Sequence, residues 1–263
     1  RIMVEPAYQS VDLGGKDEQQ NRLVTEGFGL ILRQGINHTL DEGVTPLLAG
    51  ALFGNAGIGT EWVESLVLEH GNRLGLSRHD AAEAWFAAYV EQLMSPILYC
   101  FFKHGVIFEP HLQNVLIGLV GGCPQQLFLR DFEGVKLQGD RFEARLSAET
   151  EQVRSALCYS EEKGWKRIAY CLFVNNLCEA ITQLAISDSN LEVRLWTVVR
   201  EQLEVYQQQY GNEVSARYIG ALLVGESFPA KANLINRFFK RADREVIYVP
   251  VHNPLKQSRE AVV

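Results

Sequence analysis

Between His104 and Gly134 the chain reads HGVIFEPHLQNVLIGLVGGCPQQLFLRDFEG, and Glu109, His111 and Asn114 fall within six positions of one another there. Two short apolar runs follow, Val115 to Val120 and Gln126 to Phe132, on either side of the turn-forming Gly121-Gly122-Cys123-Pro124. That pattern predicts a β-hairpin with Asp131 at the end of its second strand. Antiparallel strands return the chain to its start, so Asp131 should come close to Asn114. Two carboxylates, Glu109 and Asp131, and the amide oxygen of Asn114 then converge. Hard oxygen ligands suit Mg²⁺, which keeps waters and also binds nucleotide phosphates. His111 beside such a metal can pair with an anionic substrate or phosphate oxygen, or shuttle a proton. Arg130 can face a phosphate, or pair with Glu133. Taken singly, each of these residues also has an ordinary structural reading, an ion pair or a loop polar group.

The elements that must position this constellation are mostly helical. Ile2 and Val4 suggest a short strand stopped by Pro6, and Gly14-Gly15 a loop. Leu23, Val24, Phe28, Ile31 and Leu32 recur at helical spacing between Glu18 and about Gln34. Gly54, Gly57 and Gly59 mark a loop over Gly50 to Thr60, with Thr60 as N-cap of the next helix. Helices are expected from Glu61 to Leu74 and from Arg78 to Lys103, the second capped by Ser77 and bent at Pro96. Trp62, Leu66, Trp85 and Val90 read as packing residues. After the hairpin, Val135 to Leu137 and Arg141 to Arg145 suggest another hairpin through Gln138-Gly139-Asp140. From Glu149 the chain is helical, with breaks near Gly164, Ser187 to Asn190 and Gly211. Residues 230–241 read as a short helix and Val246 to Val251 as a strand. Asn175-Asn176 interrupts an apolar helix, and buried amides need partners, so the pair supports the site or lines its pocket. The reading is α+β, mostly helical, with a small β element at the centre. Residues 1–103, 104–148 and 149–263 form three parts of one continuous domain.

Composition sets outer limits. The 263 residues are 47% hydrophobic, 10% aromatic and 22% charged, which is globular and not disordered. The net charge of −7 and the absence of a basic run argue against a dedicated nucleic-acid binder. Five cysteines, an odd number and mostly in apolar runs, suggest reduced thiols in a cytoplasmic protein. Trp165 to Ile186 is the longest apolar-rich stretch. Lys166, Arg167, Asn175, Asn176 and Glu179 interrupt it, which favours a buried helix over a membrane span. No signal peptide is read ahead of the first element, and a start at Arg1 without Met suggests a piece of something longer.

HGVIFEPHLQN followed by RDFEG resembles the signature of the siderophore synthetases that work without nonribosomal peptide machinery, the aerobactin-synthetase (IucA/IucC-type) family. KANLINRFFKR and VPVHNPL are similar to that family's closing segments, with Lys231, Arg237 and Asn253-Pro254 at matching positions, and EGFGLILRQGI to the segment after its nucleotide-binding portion. The resemblance implies ATP- and Mg²⁺-dependent conversion of citrate or a related carboxylate to an acyl-adenylate, with release of pyrophosphate. A polyamine or hydroxylated-amine nucleophile then attacks. It implies that Glu109, Asn114 and Asp131 hold metal and nucleotide, and that His111 contacts the carboxylate and adenylate. Lys231 and Arg237, one and a half turns apart on the expected helix, would offer positive charge to citrate or phosphate, and Asn175 would line the substrate pocket. The family's proteins are about twice this length, and its Ser/Thr and Arg phosphate-holding segment has no counterpart here. This chain is therefore expected to be the C-terminal, palm-like portion, partnered by an N-terminal half and forming a homodimer.

Other readings remain open on the residues alone. The Glu109-to-Asn114 spacing, Asp131-Phe132 with Gly134, and His104-Gly105 echo small-molecule kinases, although no Gly-rich loop or strand lysine precedes them. Products discriminate: pyrophosphate and AMP for the synthetase, ADP for a kinase. The family's C-terminal region is also grouped by name with ferric-siderophore reductases, but no C-x-x-C or adjacent cysteine pair is present. A zinc site on His104, Glu109 and His111 has no helix-based spacing. A scaffold role without catalysis is the bland alternative.

Overall fold

The computed structural model describes residues 3–256 apart from 4, 13, 15–16, 37–39, 55–57, 133, 233, 235–237 and 240–246. The chain begins with β1 (Ala7–Gln9), α1 (Glu18–Gly27) and β2 (Leu30–Leu32). β1 and β2 pair antiparallel. The single helix expected from Glu18 to Gln34 is thus cut short, and Ile31 and Leu32 belong to a strand. Both are apolar and Ile31 is β-branched, which fits a ribbon as well as a helix face, so the period alone did not decide. Ile2 and Val4 lie outside the described residues.

β3 (Val44–Leu48) leads into α2 (Ala49–Phe53), where a loop was expected, and then α3 (Ile58–Leu74). Because α3 starts at Ile58, Thr60 lies inside its first turn and is not the N-cap. α4 (Arg78–His104) runs twenty-seven residues; Ser77 caps its start, accepting from the Asp80 N–H, and Pro96 sits within it. Gly105 ends it at φ +70°, a left-handed conformation that suits glycine. The His104-Gly105 pair is thereby explained as a helix stop. β4 (Val106–Ile107) follows, then β5 (Val115–Val120) and β6 (Cys123–Leu129). These two strands form the expected hairpin, with β3 on the other side of β5 in a three-stranded antiparallel sheet. Its turn is only Gly121-Gly122, both at positive φ, which is the backbone a tight hairpin with right-handed twist requires. Trp85 of α4 donates its indole N–H to the Gly122 carbonyl at 2.8 Å, tying the turn to the helical core.

The second hairpin does not form. β7 (Lys136–Gln138) pairs antiparallel with β4, and α5 (Gly139–Phe142) takes the place of a return strand. α6 (Glu151–Leu157) and β8 (Cys158–Tyr159) follow, β8 lying parallel to β7. α7 (Glu161–Ala169) continues without a break through Gly164, which packs so close to Ile107 and Phe101 that a Cβ would collide. The helix passes into a π-helical segment, Tyr170–Leu177, and then α8 (Cys178–Ala185). By length and composition Glu161–Ala185 could cross a membrane, yet most of its apolar window is buried in the fold, as expected of a core helix. α9 (Ser189–Tyr210) and α10 (Glu213–Leu223) complete the helical part. Lys231 belongs to a strand, β9 (Phe228–Lys231), paired antiparallel with β10 (Tyr248–Val251), so it does not share a helix turn with Arg237. Arg237 itself lies outside the described residues.

One apolar core joins these elements. α4 buries Trp85, Phe86, Tyr89, Phe101 and Phe102 against α9, α3 and the hairpin sheet. Trp85 and Val90 are fully buried and Leu66 packs at the margin, but Trp62 is 47% exposed and is no core residue. The outcome is a mostly helical α+β fold with the β-hairpin sheet set against it.

Candidate active site

The loop from Phe108 to Asn114 links β4 to β5 and carries Glu109, His111 and Asn114. Its backbone is held at every carbonyl from Glu109 to Asn114. Glu109 O accepts from the His111 N–H, His111 O from the Asn114 N–H, and Leu112 O from the Gly50 N–H at the start of α2. Pro110 O accepts from the Asn176 side-chain amide, Gln113 O from Arg130 Nε, and Asn114 O from the Arg130 N–H. Six consecutive satisfied acceptors make this a rigid loop, as a functional constellation requires. Arg130 thus spends its Nε on the loop; Glu133 lies outside the described residues.

Asn176 is fully buried and bridges two regions. Its Nδ2 donates to Pro110 O at 2.9 Å, and its Oδ1 accepts from the Tyr89 hydroxyl at 2.5 Å. The π-helical segment therefore connects the aromatic core to the centre of the loop. Asn175, one residue earlier, turns into the cleft instead.

Glu109 is nearly buried and meets two cations. Its Oε1 lies 2.7 Å from the Arg167 guanidinium and 3.5 Å from Lys231 Nζ. Its Oε2 packs against Gly134, where a Cβ would overlap it. Arg167 also donates to the Tyr159 hydroxyl at 2.9 Å, and its Nε is buried without a hydrogen-bond partner. Burial works against the charge of Arg167, but Glu109 and Tyr159 outweigh it and hold the guanidinium protonated. Lys231 lies over the Tyr170 ring, 5.4 Å from its centre. The sequence reading missed Arg167, Tyr159 and Tyr170. The available signal was Arg167 itself, a charged residue in an apolar helix, since a buried cation needs a partner.

Asp131 follows β6 at φ +70°, a conformation an aspartate tolerates better than most residues. The Val115–Leu129 register brings its neighbour Arg130 opposite Asn114, whose carbonyl accepts from the Arg130 N–H. The charge of Asp131, with that of Glu109 and Lys231, is felt at His111. Burial holds the His111 imidazole below its ordinary pKa; Lys231 adds to this, while Glu109 and Asp131 oppose it. Glu109, His111, Gln113, Tyr170, Asn175, Glu179 and Lys231 line one open cleft of about 470 Å³. Asn114 is buried at the foot of the hairpin.

Among the described residues, no three His, Cys, Asp or Glu side chains gather as a metal cage. A zinc site on His104, Glu109 and His111 is not assembled: the His104 ring packs against Tyr99. The oxygen donors here, Asp131, the Asn114 amide and the free side of Glu109, are few and hard. Such a set fits Mg²⁺ sharing its shell with water and phosphate, and does not fit a site closed by protein alone. All five cysteines are free, and burial pushes the thiols of Cys171 and Cys178 up to about 12, so they are poor thiolate donors.

Comparison with known proteins gives this geometry a context. The L-2,3-diaminopropanoate–citrate ligase of Staphylococcus aureus (strain NCTC 8325 / PS 47) is 29% identical over 99% of this chain and 44% of its own length. The spermidine-citrate ligase of Bacillus anthracis is 24% identical over 97% of this chain and 42% of its own. Among solved structures, aerobactin synthetase IucA from a hypervirulent pathotype of Klebsiella pneumoniae superposes with a TM-score of 0.74. It is 21% identical, with 97% of this chain and 44% of that one covered. The chain thus spans less than half the length of these relatives. A family model described as ferric iron reductase FhuF-like transporter matches residues 83–246, which include the loop, the hairpin and the π-helical segment. The chain belongs to this FhuF-like family, and along nearly its whole length it is similar to citrate ligases and siderophore synthetases.

Proposed function

We propose that this chain is the C-terminal, palm-like part of a siderophore synthetase that joins citrate or a related carboxylate to an amine or hydroxyl nucleophile, with ATP as the activating substrate. The observation that carries this reading is the cleft lined by Glu109, His111 and Lys231, where Glu109 pairs with Arg167 and the charge of Asp131 reaches His111. An N-terminal half of the same synthetase completes the site, and the working unit is a cytoplasmic homodimer.

Lys231 and His111 face the cleft and are suited to a carboxylate or phosphate oxygen. Glu109 takes up part of the charge of Lys231 and Arg167, so that the two cations are held in place beside the cleft. Asn114, Asp131 and the free oxygen of Glu109 would hold Mg²⁺, which when bound supplies neutralisation of phosphate charge. In the reaction, a carboxylate oxygen attacks the α-phosphorus of ATP and pyrophosphate leaves. The amine or hydroxyl then attacks the acyl carbon, AMP leaves, and the nucleophile loses a proton. A neutral His111, favoured by its lowered pKa, is able to accept that proton. Adenylation of this kind asks the protein mainly for positioning and charge stabilisation, which a loop with every carbonyl fixed provides.

The family's descriptive name points to iron reduction, but the five cysteines of this chain are free and do not gather. The deciding experiment is calorimetric titration of Mg·ATP into this chain and its Asp131→Ala variant, then product analysis with citrate in the presence of the N-terminal half. Mg²⁺-dependent binding that Asp131→Ala abolishes, with release of pyrophosphate and AMP, is expected. ADP as product would favour phosphoryl transfer instead, and no binding even with both halves present would end the synthetase reading.

A further inference from the structure

The wall of the cleft opposite the Glu109–Asn114 loop is built from one helix, and its register is unusual. Tyr170, Asn175 and Glu179 all line the cleft. In an α-helix, residues five apart point about 140° away from each other, so Tyr170 and Asn175 could not share a wall. The segment Tyr170–Leu177 is π-helical, and the Cys178 N–H reaches back five residues to Phe173 O. The wider turn brings residues five apart onto nearly one face. Asn175 and Glu179, four apart, continue the same face, while Asn176 points inward to Pro110 and Tyr89.

This stripe carries a gradient of charge. Tyr170 lies under Lys231, in the region where Glu109 and Arg167 pair. Glu179 stands nine residues further on, about two turns along the helix axis. It is exposed, and no cation pairs with it among the described residues. One end of the cleft thus has Lys231 and Arg167 met by Glu109, with Asp131 near, and the other has the Glu179 carboxylate with no cation on it among the described residues, the amide of Asn175 lying between them. A ligand spanning both can set a positive group on Glu179 and its reacting end beside Lys231 and His111.

We propose that Glu179, assisted by Asn175, is the specificity element for the nucleophile, gripping a second, protonated nitrogen of a diamine or polyamine while its reacting nitrogen lies toward Lys231 and His111. The proposal rests on the carboxylate-plus-amine reading above and names what that reading leaves open. The carboxylate offers charge-assisted hydrogen bonds to an ammonium, whereas at the opposite end the Glu109 carboxylate is already engaged by Arg167 and Lys231. A monoamine would gain nothing from Glu179.

The test is calorimetric titration of this chain, in the presence of the N-terminal half, with spermidine and, separately, with citrate, using wild type, Glu179→Gln, Glu179→Lys and Lys231→Gln. Glu179 is exposed, so both of its variants should fold, and circular dichroism checks this. Glu179→Gln should weaken spermidine about three- to tenfold, a loss that shrinks at high salt, and leave citrate unchanged within about twofold. Glu179→Lys should abolish spermidine binding, and Lys231→Gln should weaken citrate alone. Unaltered spermidine affinity in both Glu179 variants, or no uptake of spermidine by wild type, overturns the proposal. Citrate uptake without spermidine uptake overturns this inference and spares the synthetase reading. Spermidine uptake through Glu179 with no citrate uptake overturns the synthetase reading and with it the nucleophile role, leaving Glu179 a polyamine-binding residue alone.

Discussion

The α4 core and the Glu109–Asn114 loop are both rigid, but for different reasons. The core around Trp85, Phe86, Tyr89, Phe101 and Phe102 is held by apolar area removed from water, a force without direction. The loop packs Phe108 into the same core, but its shape depends on six directed hydrogen bonds to its carbonyls, four of them from the distant residues Gly50, Arg130 and Asn176. A core of the first kind loses stability when atoms are removed but keeps its shape. A loop of the second kind keeps most of the stability and loses its shape.

Substitutions can break this comparison, and the largest effect belongs to the core. Phe101→Ala should destabilise the chain by about 3–5 kcal/mol in denaturant titrations. Any ligand affinity measured well below the transition should hold within about twofold. Next comes Arg167→Met, which strands Glu109 in a nearly buried setting with only Lys231 nearby. A loss of about 3 kcal/mol is expected, with citrate affinity altered as well because Lys231 is drawn to the unpaired carboxylate. If Arg167→Met is as stable as wild type, the ion pair contributes nothing to the loop.

Asn176→Leu should cost less, about 2 kcal/mol, by leaving Pro110 O and the Tyr89 hydroxyl unpaired. Tyr89→Phe removes only the far bond and should cost about 1 kcal/mol. The comparison predicts that Asn176→Leu harms nucleotide and citrate binding more than Phe101→Ala does, despite its smaller stability loss. The opposite ranking would show that the loop is shaped by the core after all.

The smallest effect concerns pH. Burial places the folded pKa of His111 below its ordinary value of 6.5, so the unfolded chain takes up the proton first. This contribution to stability is present above about pH 6.5 and is lost as pH falls through the folded pKa. Unfolding free energies at pH 7.5 and 5.5 should therefore differ less in His111→Gln than in wild type. An equal difference would mean that His111 titrates as freely as it does in the unfolded chain.

Much of the helical scaffold is legible in the sequence. Apolar residues at helical spacing mark α3, α4 and α9, Ser77 marks the start of α4, and the Gly-rich turn between two apolar runs marks the β5–β6 hairpin. The errors cluster where short segments are ambiguous or where pairing is long-range. Ile31-Leu32 and Phe228 to Lys231 are strands because other strands lie beside them. Gln138 to Phe142 is a strand passing into a helix because β4 and β8 occupy both edges of β7. No local window contains that information.

The same division runs through the cleft. The sequence by itself determined that Glu109, His111 and Asn114 share one short loop and that a hairpin returns Asp131 to it, because both facts follow from spacing and local turn chemistry. Only the tertiary structure decided that Arg167 and Lys231 would meet at Glu109, fifty-eight and one hundred and twenty-two positions away in sequence. It also decided that a π-helical register would turn Asn175 and Glu179 into the cleft and Asn176 into the core. A buried charge announces that it needs a partner, but which partner it finds depends on how distant helices and strands pack, and that is settled by the whole core at once.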